Sequence, residues 1–193
     1  MSAEALQGDP GLVPGRECGT CHVCCVSLTI NEPGLQKPQG YRCRNLQPGQ
    51  GCTIYATRPP TCREFECGWR KLKWVRESLR PDKSAVLIKL HAEISRTTGQ
   101  HSMGIAVTLL DASALKAEGL AETVAAAVAA DIPVYLHVPG PPGYTASQAK
   151  VNDALRHAVV TKDKAALLGI LKLARAKGMA GKHVPIVMKP PAG

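Results

Sequence analysis

The sequence predicts an α+β protein in two unlike parts, an irregular cysteine-rich N-terminal domain and a small mixed-sheet and helix C-terminal half. Three observations lead there. All eight cysteines lie between Cys18 and Cys67, and none lies in residues 68–193. That same stretch carries many turn formers, among them Gly19, Pro33, Gly34, Pro38, Gly40, Gly51, Pro59 and Pro60, and shows no sustained apolar periodicity. From Ser84 onward the texture changes to apolar runs of strand and helix length separated by turn signals.

Taken in order, residues 1–15 contain Gly and Pro and read as a mobile arm. Residues 16–83 form the cysteine domain with a docking helix. Within it, Trp69, Leu72, Val75 and Leu79 fall near helical spacing, and Arg70, Lys71, Lys73, Arg76 and Arg80 occupy much of the remainder. This predicts one short amphipathic helix over 68–80 that docks the cysteine region onto the rest. Residues 84–193 form the α+β domain. Ala85–Ala92 and Gly104–Leu110 read as strands, joined through a turn at Thr97–Gln100 into a hairpin. Asp111 or Ser113 caps a helix running to Ala130 with a break at Gly119. Pro133–Val138 is a third strand, and Pro139–Gly143 is a connecting loop. Thr145 or Ser147 starts a helix to about Val160, and Thr161 caps another to Lys177, ended by Gly178 and Gly181. Val184–Lys189 adds a last strand, placed at an edge by Pro185.

With 193 residues, 45% hydrophobic but only 4% aromatic, any core is built mainly from Ala, Val, Leu and Ile. The net charge of +9 divides almost evenly, +4 over residues 1–83 (12 basic, 8 acidic) and +5 over residues 84–193 (12 basic, 7 acidic). No long basic run concentrates it, so no nucleic-acid partner is indicated. The first fifteen residues lack a basic n-region and an apolar h-region, which argues against a secretory signal. No apolar run approaches 18 residues, so no membrane span is expected. The expected location is the cytoplasm, where thiols stay reduced and dense cysteine indicates metal ligation before disulfides.

The spacing supports metal. Cys18-x2-Cys21-x2-Cys24 matches three ligands of a bacterial ferredoxin run, but the fourth position is Leu28, so an ordinary ferredoxin is excluded. A radical-SAM triplet is excluded too, since its first gap is three residues. Cys24 and Cys25 are adjacent, and adjacent side chains often diverge, so their sulfurs suit different metals or different corners of one cluster. With Cys43, Cys52, Cys62 and Cys67, eight thiols complete two four-sulfur sites. A thiolate site is anionic and needs cations or N–H donors nearby. Arg16, Arg42, Arg44, Arg58 and Arg63 lie close to the cysteines in sequence. Thiolate softness permits zinc, iron–sulfur and copper(I), and copper lacks an accompanying Met-rich segment. So poor an apolar stretch also needs an external tie, and sulfur–metal bonds would supply it, which makes the N-terminal domain an irregular, metal-stabilised one.

The motif Cys18–Cys25, followed by Cys43 with Leu46, and then Gly51-Cys-Thr-Ile-Tyr-Ala-Thr-Arg-Pro-Pro-Thr-Cys-Arg-Glu-Phe-Glu-Cys67, resembles the bacterial YkgJ-type cysteine-cluster family. That family's pattern is CxxCxxCC with a distal GCxIYxxRPxxCRxFxC. The resemblance covers about residues 15–70 and implies chelation of zinc or iron, without implying a reaction. A flagellin-directed lysine methylase shares the cluster pattern, and that likeness is confined to the cluster. Within the motif, Arg58-Pro59-Pro60 favours an extended entry to Cys62, and Ile54, Tyr55 and Phe65 are candidates to shield the sulfurs from water. His22, between Cys21 and Cys24, is a further candidate ligand; His91, His101, His137, His157 and His183 lack ligand spacing. Glu64 and Glu66 flank the cysteines without forming an acid–base pair, and no nucleophile elbow, P-loop or dinucleotide fingerprint is present. The expectation is therefore a metal-binding protein holding an iron–sulfur cluster or zinc through all eight cysteines, with iron–sulfur put first and an unidentified protein partner left open. The alternative is a cluster-dependent redox or transferase enzyme.

Overall fold

The computed structural model describes residues 11–47, 49–94 and 101–188. The turn expected at Thr97–Gln100, most of the N-terminal arm, Pro48 and Lys189 lie outside these residues. Helices and sheets are both present, so the α+β class holds.

The cysteine region is made of short pieces. These are α1 (Val23–Ser27), a hairpin of β1 (Ile30–Glu32) and β2 (Leu35–Lys37), a two-residue ladder of β3 (Leu46–Gln47) and β4 (Gly51–Cys52), a 3-10 turn at Tyr55–Thr57, and α2 (Pro60–Glu64). Helices and hairpins this short are marginal alone. They close on a small core of Ile30, Leu35, Cys43 and Leu46, against which Cys25, Val26 and Cys62 pack. Lys37 fastens the hairpin to α1: its buried Nζ donates to the carbonyls of Val26 (2.9 Å) and Leu28 (2.5 Å) at the end of that helix. Glu32 of β1 accepts from the amide of Thr61 (3.2 Å) and so ties the hairpin to the first turn of α2.

The single helix expected over 68–80 is broken. α3 covers Gly68–Lys71, a 3-10 turn covers Glu77–Leu79, and α4 covers Pro81–Ser84. Arg16 accounts for the break. Its guanidinium donates to the carbonyls of Trp69 (2.6 Å), Leu72 (3.2 Å) and Val75 (2.8 Å), groups that in a continuous helix would face amides four residues on. Arg16 is buried, pairs with Glu77 at 2.8 Å and lies over the Trp69 ring. The expected docking function is nevertheless met, because Trp69, Leu72, Val75 and Leu79 all enter the main core. The arm is also fixed nearer its end than expected: the Val13 amide donates to the Arg70 carbonyl at 2.7 Å.

In the C-terminal half, β5 (Val86–Ile94) and β6 (His101–Leu109) form the expected antiparallel hairpin. Asp111 accepts from the Ser113 amide and opens a 3-10 segment at Ala112–Lys116. Gly119, at φ +84°, then resets the chain for α5 (Leu120–Ala129), whose start meets the break expected there. β7 (Val134–Val138) lies parallel to β6, with Val107 opposite Leu136. Two expectations fail. Ser147 does not start a helix: Ser147–Lys150 is β8, antiparallel to β7, and the helix begins only at α6 (Asn152–Val160). Pairing satisfies the backbone groups that β7 would otherwise leave open at its edge, and that outweighs the helical preference of a four-residue run. Asp163, not Thr161, caps α7 (Lys164–Ala180), which runs through Gly178 to Gly181. The last strand also does not form. Residues 184–186 make only a bridge, with the Thr145 amide donating to Val184 and the Ile186 amide to Gly143, each at 2.8 Å.

The sheet order is β5-β6-β7-β8, with α5, α6 and α7 on one face. Val86, Ile88, Ile105, Val107, Leu109, Val134, Leu136 and Val138 alternate onto that face and are buried with Val124, Leu155, Leu167 and Leu171 of the helices. The cysteine region seats at the β5 edge. A Cβ on Gly68 would come within 2.6 Å of Ile88 Cγ2, so α3 touches β5 as closely as only glycine allows. On the other side, the loop expected to be a plain connector is an abutment: Gly143 donates to the Gln39 carbonyl at 2.9 Å, and a Cβ on Gly40 (φ +83°) would meet Pro142 Cα at 2.7 Å.

Candidate metal centre

All eight cysteines are free thiols, and only Cys43 is buried. Local turns present them. The Cys21 amide donates to Cys18 O (2.8 Å) and the Cys25 amide to His22 O (3.0 Å), which curls Cys18–Cys25 into successive turns. Cys24 and Cys25 are inside α1, and the Cys43 amide donates to Cys25 O at 3.0 Å, which brings the middle cysteine alongside. Cys52 lies opposite Leu46 in the β3–β4 ladder. Pro59 is extended, as expected, and Pro60 starts α2, which carries Cys62. Cys67 precedes α3 and packs against the main core.

Seven of the eight thiols line one cavity of about 570 Å³, with Cys67 outside its lining. Electrostatic coupling divides the sulfurs into two overlapping sets. Burial raises the Cys67 thiol pKa, and the charges of Cys18 and Cys21 raise it further. Cys21 is likewise raised, first by burial, with Cys18 among the added causes. Burial also raises Cys62, but its sulfur neighbours are Cys25, Cys43 and Cys52. The two groups meet at Cys24 and Cys25. There a thiol–thiol hydrogen bond holds the Cys24 proton and favours the Cys25 thiolate. The adjacent side chains therefore do not diverge as expected; α1 holds their sulfurs together, with Cys24 also in the field of Cys18 and Cys21 and Cys25 acting on Cys62.

The cations differ from those read in the sequence. Arg16 is committed to the 69–77 segment, Arg42 donates to Leu46 O and Arg44 to Gly34 O. Of the five, Arg58 acts on the sulfurs, lowering Cys25 and Cys62 while stacking 3.7 Å over Tyr55. Two further cations lie at the sulfurs. Arg70 Nη1 donates to Cys18 Sγ at 3.7 Å and pairs with Glu66 at 2.6 Å. Lys37 lies in the field of Cys43, Cys25, Cys24 and Cys62. Arg70 thus sits at Cys18, while Lys37 and Arg58 act around Cys25 and Cys62, with Lys37 also in the field of Cys24. Nothing in the linear order marks Arg70 out from Lys71 or Lys73; the short turn of α3 selects it.

Ile54, Tyr55 and Phe65 line the cavity as expected, although Tyr55 is 53% exposed and shields incompletely. His22 also lines it, with Nδ1 donating to Thr20 O at 3.0 Å, which leaves Nε2 as its other nitrogen. Among the described residues, no group of three or more His, Cys, Asp or Glu side chains is arranged to hold a metal ion as it stands. The donor chemistry suits one: protonated thiols repel neither each other nor a low-dielectric wall, and an incoming cation displaces their protons. Comparison with protein-family models, with curated proteins and with solved structures finds no match.

Proposed function

We propose that the chain is a metal-binding protein whose thiols form two four-sulfur centres, Cys18, Cys21, Cys24 and Cys67 in one and Cys25, Cys43, Cys52 and Cys62 in the other. The observation behind this reading is the division of the sulfurs into two overlapping sets, with Arg70 at Cys18 and Lys37 and Arg58 around Cys25 and Cys62. The cargo is an iron–sulfur cluster, with zinc the alternative, since four thiolates serve either. The likeness of the Cys18–Cys67 motif to the YkgJ-type family supports the same donor set. Bound zinc would supply structure, and a bound iron–sulfur cluster would in addition supply an electron store. The protein's part is to hold the sulfurs, screen their charge with Arg70, Lys37 and Arg58, and limit water with Ile54 and Phe65.

A second reading, a cluster-dependent redox or transferase enzyme, is favoured by one feature: the 570 Å³ cavity beside the sulfurs is open to solvent and has room for a substrate.

Anaerobic purification with metal analysis and a visible spectrum tests the reading. A broad band near about 400 nm with matching iron and sulfide selects iron–sulfur. Colourless protein carrying two zinc ions retains the two centres and rejects the iron cargo. Protein that takes up neither metal, with all its thiols titratable, overturns the reading. Cys67→Ser should lose one centre and keep the other, and Cys62→Ser should do the converse. Loss of both centres in each variant would show a single shared site.

A further inference from the structure

The sheet face turned away from α5, α6 and α7 carries a row of polar side chains beside the buried Leu87 and Ala106, and the sulfur reading above uses none of them. Strand alternation places Lys89, His91 and Glu93 of β5 on it, beside Thr108, Ala106 and Gly104 of β6 and His137 and Tyr135 of β7. One end of this face is roofed by α1 and the Gln39–Gly40 loop, which enclose a second cavity of about 350 Å³. That is the size of a small-molecule site.

Three groups at its wall have unfilled interactions. Thr108 Oγ1 and His137 Nε2 are buried with no hydrogen-bond partner among the described residues. Lys89 is raised on no carboxylate: none pairs with it among the described residues, and no Asp or Glu lines the cavity. Glu93, the nearest acid on the same strand face, is engaged by the Tyr135 hydroxyl. Buried donors normally have partners, and a half-buried ammonium without a counter-charge is costly. Burial lowers the Lys89 pKa. Burial, helped by the charges of Lys89 and His91, also holds His137 down to about 4, so the imidazole stays neutral near pH 7.

We propose that this seam cavity binds a small ligand bearing an oxyanion, a carboxylate or a phosphate, with Lys89 as its counter-charge and the Thr108 hydroxyl as donor. The chemistry fits because an oxyanion accepts from Lys89 and Thr108 and neutralises the Lys89 ammonium. Lys89 also borders the sulfur cavity, so a ligand held there lies within one side chain of the thiols. The site does not depend on which metal the thiols hold.

Calorimetric titration of the protein as purified, with inorganic phosphate and separately with succinate, tests it, and metal content is measured in every sample. Saturable binding of either anion is expected, and the tighter one identifies the oxyanion class. Lys89→Met should weaken binding at least about tenfold, or about 1.4 kcal/mol. Thr108→Val, which keeps the side-chain shape, should weaken it several-fold. Lys150→Met, on the same face outside the cavity, should leave it unchanged. If Lys89→Met fails to fold, Thr108→Val decides. No binding of either anion at about 10 mM, or equal affinity in Thr108→Val and the parent, overturns the proposal. An unchanged metal content beside lost anion binding separates this site from the sulfur centres.

Discussion

Arg16 joins three carbonyls of one turn to a carboxylate and an indole face. Replacing it by Met removes the charge and leaves the carbonyls of Trp69, Leu72 and Val75 short of donors. A loss of about 3 kcal/mol is expected in urea unfolding, since hydrogen bonds from a charged group exceed neutral ones and the orphaned acceptors are buried. A loss under about 1 kcal/mol would show that water replaces the guanidinium. At the same scale, Arg70→Met should weaken retention of the Cys18 centre against a chelator, while retention at the Cys62 centre stays near the parent value; equal effects at both would contradict separate screening. Neither arginine's role was legible beforehand. A sequence shows how near Arg16 lies to Cys18, but the chain folds back so that the guanidinium spends its donors 53 to 61 residues away.

Among the elements, the long apolar runs were readable and the short polar ones were not. β5, β6, β7 and α5 bury continuous stripes of Val, Ile, Leu and Ala, so their periodicity declares them. Thr145–Lys150 has no such stripe. Its state is set by the open edge of β7, a fact about three dimensions. Helix 68–80 failed for a similar reason: its spacing was right, but a residue more than fifty positions earlier takes its carbonyls. In the cysteine region the spacing of Cys18–Cys25 and Pro59–Pro60 foretold turns and an extended entry, and the division of the sulfurs needed the fold. Two elements meet through glycine, and this gives a prediction. Gly40→Ala combines a positive φ with a Cβ 2.7 Å from Pro142, so it should cost about 1–3 kcal/mol and loosen the Gln39–Gly143 contact. Faster amide exchange at Gly143 measures that loosening; unchanged exchange would mean that the loop absorbs the methyl.

For the whole molecule, the buried thiols give the metal-free protein an alkaline pH response, which bound metal would replace by an acid one. Without metal, the Cys21, Cys62 and Cys67 thiols are raised above their ordinary value, chiefly by burial. Their contribution to stability is fully present below the unfolded value of about 8.5 and is lost as pH rises through the raised values. Metal-free protein should therefore weaken in urea melts between about pH 8 and 10. Metal-loaded protein holds thiolates, so it should instead weaken as acid competes for the sulfurs, and chelation near neutral pH should lower the melting temperature of the cysteine region first. Equal pH profiles for the two forms would count against thiolate ligation.

Trp69, Leu72, Val75 and Leu79 complete their core only against strands that come later in the chain. During synthesis at about 5–20 residues per second, the sulfur-bearing segment therefore waits roughly five to twenty seconds for its abutment to be translated. For that interval its eight thiols hang on a nascent chain with no sheet to lean on.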